Sequence, residues 1–146
     1  LGALEENREG PVLVPVAIDG EAQQQRRHRL VALRCIPRLR AGDLEGAESN
    51  LLLALESNPD QPVAHNELGI IYRKTGRFEE ARKSYESALD VYPGFHFARR
   101  NLAILCDLYL ADLECALQNY EAYMKTVPSD EEASMWIADI RYRLDQ

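Results

Sequence analysis

The chain has 146 residues, 46% hydrophobic and 28% charged, a balance typical of one globular domain. Its formal net charge of −7 argues against a nucleic-acid binder, which would need a basic stripe. No apolar run reaches the roughly 18 residues that a membrane-spanning helix needs, so we expect no direct membrane span.

Residues 1–21 differ in pattern from the rest of the chain. Three glycines and two prolines interrupt them, and residues 12–18, VLVPVAI, form an extended apolar run without helical periodicity. We expect an extended or partly disordered tail, which could be a flexible terminus, a linker or an added strand-like peptide. Because the chain begins at Leu1 and not at Met, the sequence leaves open whether a leader or anchor segment preceded it.

The next segment, residues 22–61, predicts two helices. The first, about 22–40, contains Pro37, which removes a hydrogen bond and costs about 3 kcal/mol inside a helix, so we expect a kink or early end near Ile36. The second, about 44–57, belongs to a pattern that recurs 34 residues later. The recurring residues are Gly42, Ala47, Leu51, Ala54 and Pro59, which become Gly76, Ala81, Tyr85, Ala88 and Pro93.

Residues 62–93 carry the sharpest pattern in the chain. Leu68 and Tyr72 share one face of a predicted helix at about 62–75. Gly69 leaves room for a second helix, about 78–91, to approach closely. Gly76 stands at the turn between them, where positive φ is needed.

The remaining residues predict three more helices. The first runs from about 95 to 109, and the next begins near Leu113 after a turn that has one extra residue and no glycine. We therefore expect a lengthened helix or a wider turn. The last helix, about 130–144, has Ser129 or Asp130 as its N-cap.

These spacings resemble the tetratricopeptide repeat (TPR) signature, W-x2-L-G-x2-Y, A-x3-F and P, with His65 in the Trp position. The resemblance implies an all-α fold, a right-handed superhelical stack of helical hairpins spanning residues 22–146. We expect three repeats, at about 28–61, 62–95 and 96–130. A C-terminal capping helix, 131–146, would close the stack.

A narrower resemblance concerns residues 100–128 together with WIADIRYRL at 136–144. These segments are similar to the end of bacterial TPR proteins associated with TonB-type or other cell-envelope machinery. That resemblance implies a periplasmic or envelope-associated protein rather than a cytoplasmic one, often with a lipid anchor.

Catalytic and metal-binding patterns are lacking in the sequence. His28, His65 and His96 are far apart, and none stands at ligand spacing from another His or a Cys. There is no nucleophile elbow, phosphate loop or dinucleotide fingerprint. We therefore expect no enzyme, no metal site and no cofactor.

The three cysteines, Cys35, Cys106 and Cys115, form no C-x-x-C pair. The pattern favours small buried hydrophobic residues. A bridge between Cys106 and Cys115, joining two helices of one hairpin, stays open but is not required.

The resemblance places a partner-binding groove on the first helix of each repeat. Apolar and cationic residues alternate there, which suits a peptide with an apolar anchor and a carboxylate. The predicted groove comprises Asn66, Ile70, Arg73, Lys74, Phe97, Arg100, Asn101, Ile104, Asp107 and Leu108, with Met135, Asp139 and Tyr142 from the cap. The two-carboxylate clamp of chaperone-binding TPRs is not reproduced, because Ala32 and Ile36 stand at its positions.

Three functions follow from this interpretation. The favoured one is a non-enzymatic scaffold that binds a partner protein or peptide in the concave groove. The second is a self-assembling unit, a weak homodimer through the tail or the cap. The third is a regulatory or adaptor subunit of a separate enzyme.

Overall fold

The structure, a computed structural model, describes residues 43–146. The predicted tail, the helix at 22–40 with Pro37, Cys35 and His28 lie outside the described residues. The described part contains six helices and no strand: α1 (Leu44–Ser57), α2 (Pro62–Lys74), α3 (Phe78–Val91), α4 (His96–Leu108), α5 (Leu113–Thr126) and α6 (Glu131–Leu144). Consecutive helices pack on each other, and α2 also contacts α4.

The first described helix, α1, has the predicted bounds. Asp43 caps it by accepting a hydrogen bond from the Gly46 N–H at 2.9 Å. Ala47 and Leu51, the residues that belong to the 34-residue pattern, are fully buried. Gln61 then ties the end of α1 to the start of α2, because its side-chain amide donates to the Ala54 carbonyl at 2.7 Å.

The hairpin of α2 and α3 is confirmed within one residue of its predicted bounds. Pro62 opens α2, where its missing N–H costs nothing. Gly69 lies against the ring of Tyr85, so the two helices approach where there is no side chain. Gly76 has a φ of +79° and redirects the chain into α3.

The hairpin of α4 and α5 has a wider turn, one of the two predicted alternatives. Ala111 adopts a φ of +52°, the positive φ that Gly76 supplies in the preceding hairpin. Asp112 then caps α5 by accepting from the Cys115 N–H at 3.0 Å. Cys106 and Cys115 form a disulfide with their Cα atoms 5.9 Å apart, so their interpretation as unlinked buried residues is wrong.

The last helix, α6, is capped by Asp130, which accepts from the Ala133 N–H at 3.0 Å. The other oxygen of Asp130 accepts from the Tyr123 hydroxyl at 2.7 Å, which fixes α6 to the end of α5. Ile137 and Ile140 are buried. One continuous apolar core therefore runs through all six helices.

Candidate functional site

The first helices, α2, α4 and α6, form one face of the described stack, which we call the first-helix face. Asn101 of α4 donates from its side-chain amide to the Asn66 oxygen of α2 at 3.0 Å. Arg143 of α6 binds Asp107 of α4. The predicted groove residues of the three helices are therefore neighbours across the stack.

Four of the predicted residues lie between the helices rather than on the open surface. Asn66 is 4% exposed, and its bond to Asn101 joins α2 to α4. Ile70 and Ile104 are half-buried and pack against the core. These residues shape the face more than they present groups to a partner.

Apolar side chains remain open on this face. Phe97 is 58% exposed, Leu108 69% and, on α6, Met135 65% and Tyr142 67%. The Phe97 ring lies against the rings of its chain neighbours, 4.1 Å from that of His96 and 5.8 Å from that of Phe95, centroid to centroid. Large apolar groups fixed at the surface are the usual anchors of a protein interface.

The charged groups of the face are largely paired with each other. Arg100 lies 3.8 Å from the Asp130 carboxylate and 3.5 Å from that of Glu132, over the Trp136 ring at 5.0 Å. Arg143 binds Asp107 at 2.5 Å and Asp139 at 2.9 Å. Arg100 and Asp107 are therefore engaged within the stack, although the sequence suggested them as free groove groups.

The cations Arg73 and Lys74 differ from this set. Both occupy the last turn of α2, and neither makes an ion pair with any described residue. The Arg73 guanidinium lies 5.8 Å from the centroid of the Tyr109 ring. Among residues 43–146, no carboxylate therefore forms an ion pair with either of these two cations.

Two groups that the sequence interpretation did not select lie beside this charge. Burial raises the pKa of Glu67 on α2 to about 7, and the charge of Lys74 opposes the rise only in part. Burial also raises the pKa of the Tyr85 hydroxyl on α3 to about 12, and the neighbouring Arg73 guanidinium opposes the rise in part. Glu67 stands directly between Asn66 and Leu68, so its place on the first helix was a signal that could have found it.

A second cleft, of about 380 Å³, lies on the other side of the hairpins, between α3, α4 and α5. Three of its charged side chains, Arg82, Glu86 and Arg99, have partners within the chain. Arg82 binds Glu86 at 3.2 Å and Asp112 at 3.5 Å, and Arg99 donates to Asn119 at 3.2 Å. This cleft offers a partner fewer unpaired groups than the first-helix face does.

Within 43–146, no group of three or more His, Cys, Asp or Glu side chains lies close enough together to hold a metal ion. None of the helices in that range has the length and apolar character required to cross a bilayer.

The chain is similar to a known repeat family and to several solved structures. Residues 62–95 match the family model of the tetratricopeptide repeat. The first TPR domain of Spaghetti (RPAP3), solved bound to the HSP90 peptide SRMEEVD, has a TM-score of 0.75 at 17% identity, over 84% of this chain and 96% of that chain. The Sgt2 TPR domain from Aspergillus fumigatus has a TM-score of 0.71 at 16% identity, over 82% and 80%.

A bacterial structure is similar as well. The type III secretion translocator chaperone SycD of Yersinia enterocolitica has a TM-score of 0.71 at 13% identity, over 94% of this chain and the whole of that one. At these identities the likeness shows the fold alone. The predicted fold class is therefore confirmed as an all-α stack of TPR hairpins.

Proposed function

We propose that this TPR-fold chain is a non-enzymatic interaction scaffold that holds an extended or helical segment of a partner protein on its first-helix face. The observation that carries the proposal is the exposure of Phe97 and Leu108 on α4 and of Met135 on α6, on the face that also bears the cations Arg73 and Lys74 of α2. Apolar anchors flanked by charge suit a peptide better than a small polar ligand.

Structures of the same fold support this proposal. The Spaghetti domain was solved with a seven-residue HSP90 peptide, SRMEEVD, and SycD is described as a translocator chaperone. We do not propose a chaperone tail as the ligand here, because Ala32 and Ile36 stand where the clamp of such domains has polar side chains.

The test is selection of peptides from a random displayed library on the full chain, followed by affinity measurement. Phe97→Asp places a charge among the anchors and should weaken the selected peptides at least about tenfold. Leu53→Asp is the matched control. Leu53 is 62% exposed but lies on α1, which does not belong to the first-helix face, so its change should leave the affinity intact. Circular dichroism checks that both variants stay folded. Loss of binding in Leu53→Asp with retention in Phe97→Asp would move the site off this face.

An envelope or periplasmic setting is the second part of the proposal. The Cys106–Cys115 disulfide supports it, because disulfides persist in oxidising compartments and are rare in the reducing cytosol. Alkylation of the protein in intact cells of its native source, without reductant, should leave these two thiols unmodified. Modification of both in unreduced cells would argue for a reducing compartment.

Self-association is the alternative outcome for the same apolar groups. Met135 and Tyr142 on α6 are exposed and could pair with a second copy. Light scattering distinguishes the two: a scaffold for a different partner stays monomeric at high micromolar concentration, whereas a self-assembling unit gains mass, and Met135→Asp reverses the gain.

A further inference from the structure

The two sulfur atoms of the disulfide differ in their access to solvent. Cys106 is fully buried in the core, whereas Cys115, the third residue of α5, is partly exposed. Cys115 also lines the cleft of about 380 Å³ between α3, α4 and α5, and Cys106 does not. A small molecule that enters this cleft therefore meets the sulfur of Cys115 first.

This difference in access decides which sulfur can take part in thiol–disulfide exchange. The attacking thiolate approaches one sulfur in line with the S–S bond, and the other sulfur leaves with the electron pair. Attack on Cys106 would need space inside the core, where its side chain has no exposed surface. Attack on Cys115 needs space on the side of the cleft, where that space exists.

A buried amide is placed to stabilise negative charge on the Cys115 sulfur. The Asn119 Nδ2 donates to the Cys115 carbonyl at 2.8 Å and lies 3.5 Å from the Cys115 Sγ. The Asn119 Oδ1 accepts from the Arg99 guanidinium at 3.2 Å, which fixes the direction of the amide. A neutral sulfur is a weak acceptor and a hydrogen bond to an ionised group is stronger, so this contact favours a thiolate at Cys115.

The size and charge of the cleft suit a small thiol. Its volume lies within the range of roughly 300–1,000 Å³ that is typical of small-molecule pockets. Arg82 and Arg99 line it together with Glu86 and Asp90, so the formal charges of its lining side chains cancel. A thiolate that enters therefore meets no net negative charge.

We propose that the Cys106–Cys115 bridge is a site of thiol–disulfide exchange, at which a low-molecular-weight thiol forms a mixed disulfide with Cys115. In the first step the thiolate of the small thiol attacks the Cys115 Sγ and the bond between the two cysteines breaks. The Cys106 Sγ takes the electron pair and then a proton. This activity goes beyond the proposed scaffold function and does not depend on it.

A second small thiol completes the exchange. It attacks the outer sulfur of the mixed disulfide, and Cys115 leaves as a thiolate that the Asn119 amide stabilises. Two small thiols are thereby oxidised to one disulfide while the two cysteines are reduced. Asn119 contacts the reacting sulfur, and Arg99 is a positioning residue that acts through Asn119.

The first test locates the mixed disulfide. The full chain carrying Cys35→Ala is incubated with reduced and oxidised glutathione, quenched with acid and alkylated, and fragmentation mass spectrometry reads both remaining cysteines. Cys115 should carry at least about tenfold more glutathione than Cys106, because the buried sulfur is inaccessible. In the same background Cys106→Ala should accumulate glutathione at Cys115, whereas Cys115→Ala should stay largely unmodified.

The same reaction in low urea tests whether exchange occurs in the folded protein. Below the unfolding transition the rate of modification at Cys115 should stay nearly constant, since the cleft is already open to solvent. Glutathione on Cys106, on both cysteines equally or on neither would overturn the exchange site. A rate that rises in proportion to the unfolded fraction would overturn it as well.

The second test measures the role of Asn119 through the pH dependence of iodoacetamide alkylation at Cys115, in the background of Cys35→Ala and Cys106→Ala. Asn119→Ala should move the midpoint of the pH profile upward, and Asn119→Asp further, because a carboxylate opposes the thiolate charge. Arg99→Gln should move it in the same direction. Asn101→Ala is the control, since its amide contacts Asn66 instead, and should leave the midpoint unchanged. Equal midpoints in all variants would show that Asn119 does not stabilise the thiolate.

Discussion

Gly69 and Gly76 both lie in the central hairpin, but the fold requires each for a different physical reason. A Cβ at Gly69 would lie 2.5 Å from Cε1 of Tyr85, a ring that is itself fully buried and has no room to move. A Cβ at Gly76 would meet nothing within 4 Å, yet the backbone there has a φ of +79°. Space is therefore limiting at the first position and conformation at the second.

Substitution by alanine and by asparagine separates these two causes. Gly69→Ala should destabilise the fold by about 1–3 kcal/mol through overpacking, and the larger Gly69→Asn by more. Gly76→Ala should cost about 1–2 kcal/mol, and Gly76→Asn less, because asparagine tolerates the left-handed conformation. Urea denaturation measures all four. The same order of alanine and asparagine at both positions would contradict the distinction.

At the scale of elements, the turn between α4 and α5 combines two unusual features. Ala111 takes a positive φ without being glycine, and the disulfide joins the helices on either side of it. The cross-link closes a short loop, since its cysteines are nine residues apart in sequence. The disulfide therefore restricts the unfolded chain around this turn. The sequence of the turn favours its conformation poorly, because it has no glycine at the position of positive φ.

Reduction should therefore weaken this hairpin measurably. The loop-closure model gives about 2–3 kcal/mol for a loop of this length, and the melting temperature should fall accordingly when dithiothreitol is added. The double variant Cys106→Ala/Cys115→Ala is the control and should melt at one temperature with or without reductant. A wild-type melting curve that reductant does not change would show that the bridge contributes nothing.

The helix positions were predictable because the residues that pack between helices recur at fixed spacing in each repeat. Ala81, Tyr85 and Ala88 face the preceding helix at fixed offsets, and all three are fully buried as the pattern requires. The conformation of the turn at Ala111 was not predictable. The spacing indicated that the turn has one extra residue, but not which residue would adopt a positive φ. The disulfide was open for a similar reason: cysteine spacing does not state whether two Cβ atoms face each other.

At the scale of the whole molecule, the sequence pattern predicted which residues the first helices carry but not which of those residues contact each other. The offsets indicated which residues share the first-helix face. They did not indicate that Asn66 would accept from Asn101, or that Arg100 would be engaged by Asp130 and Glu132, because these contacts join residues about 30 apart. Whether side chains of neighbouring repeats contact each other depends on their length and conformation, which the spacing of residues in the sequence does not indicate.

The same one-dimensional order should govern how the molecule unfolds. Each helix packs on its sequence neighbours, so stability is close to a sum of local terms and neighbour interfaces. Within the described stack α2 contacts α1, α3 and α4, whereas the backbone of α6 packs on α5 alone. A defect in α2 should therefore spread further than a defect of the same chemistry in α6.

Ile71 and Ile140 provide a matched pair for this prediction, since both side chains are fully buried, one in α2 and the other in α6. Each Ile→Ala change removes the same atoms and should cost about 2–5 kcal/mol locally. Hydrogen exchange should then accelerate in α6 alone for Ile140→Ala, but in α1 through α4 for Ile71→Ala. If both variants accelerate exchange uniformly across all six helices, the stack unfolds as one cooperative unit and the neighbour-by-neighbour description is wrong.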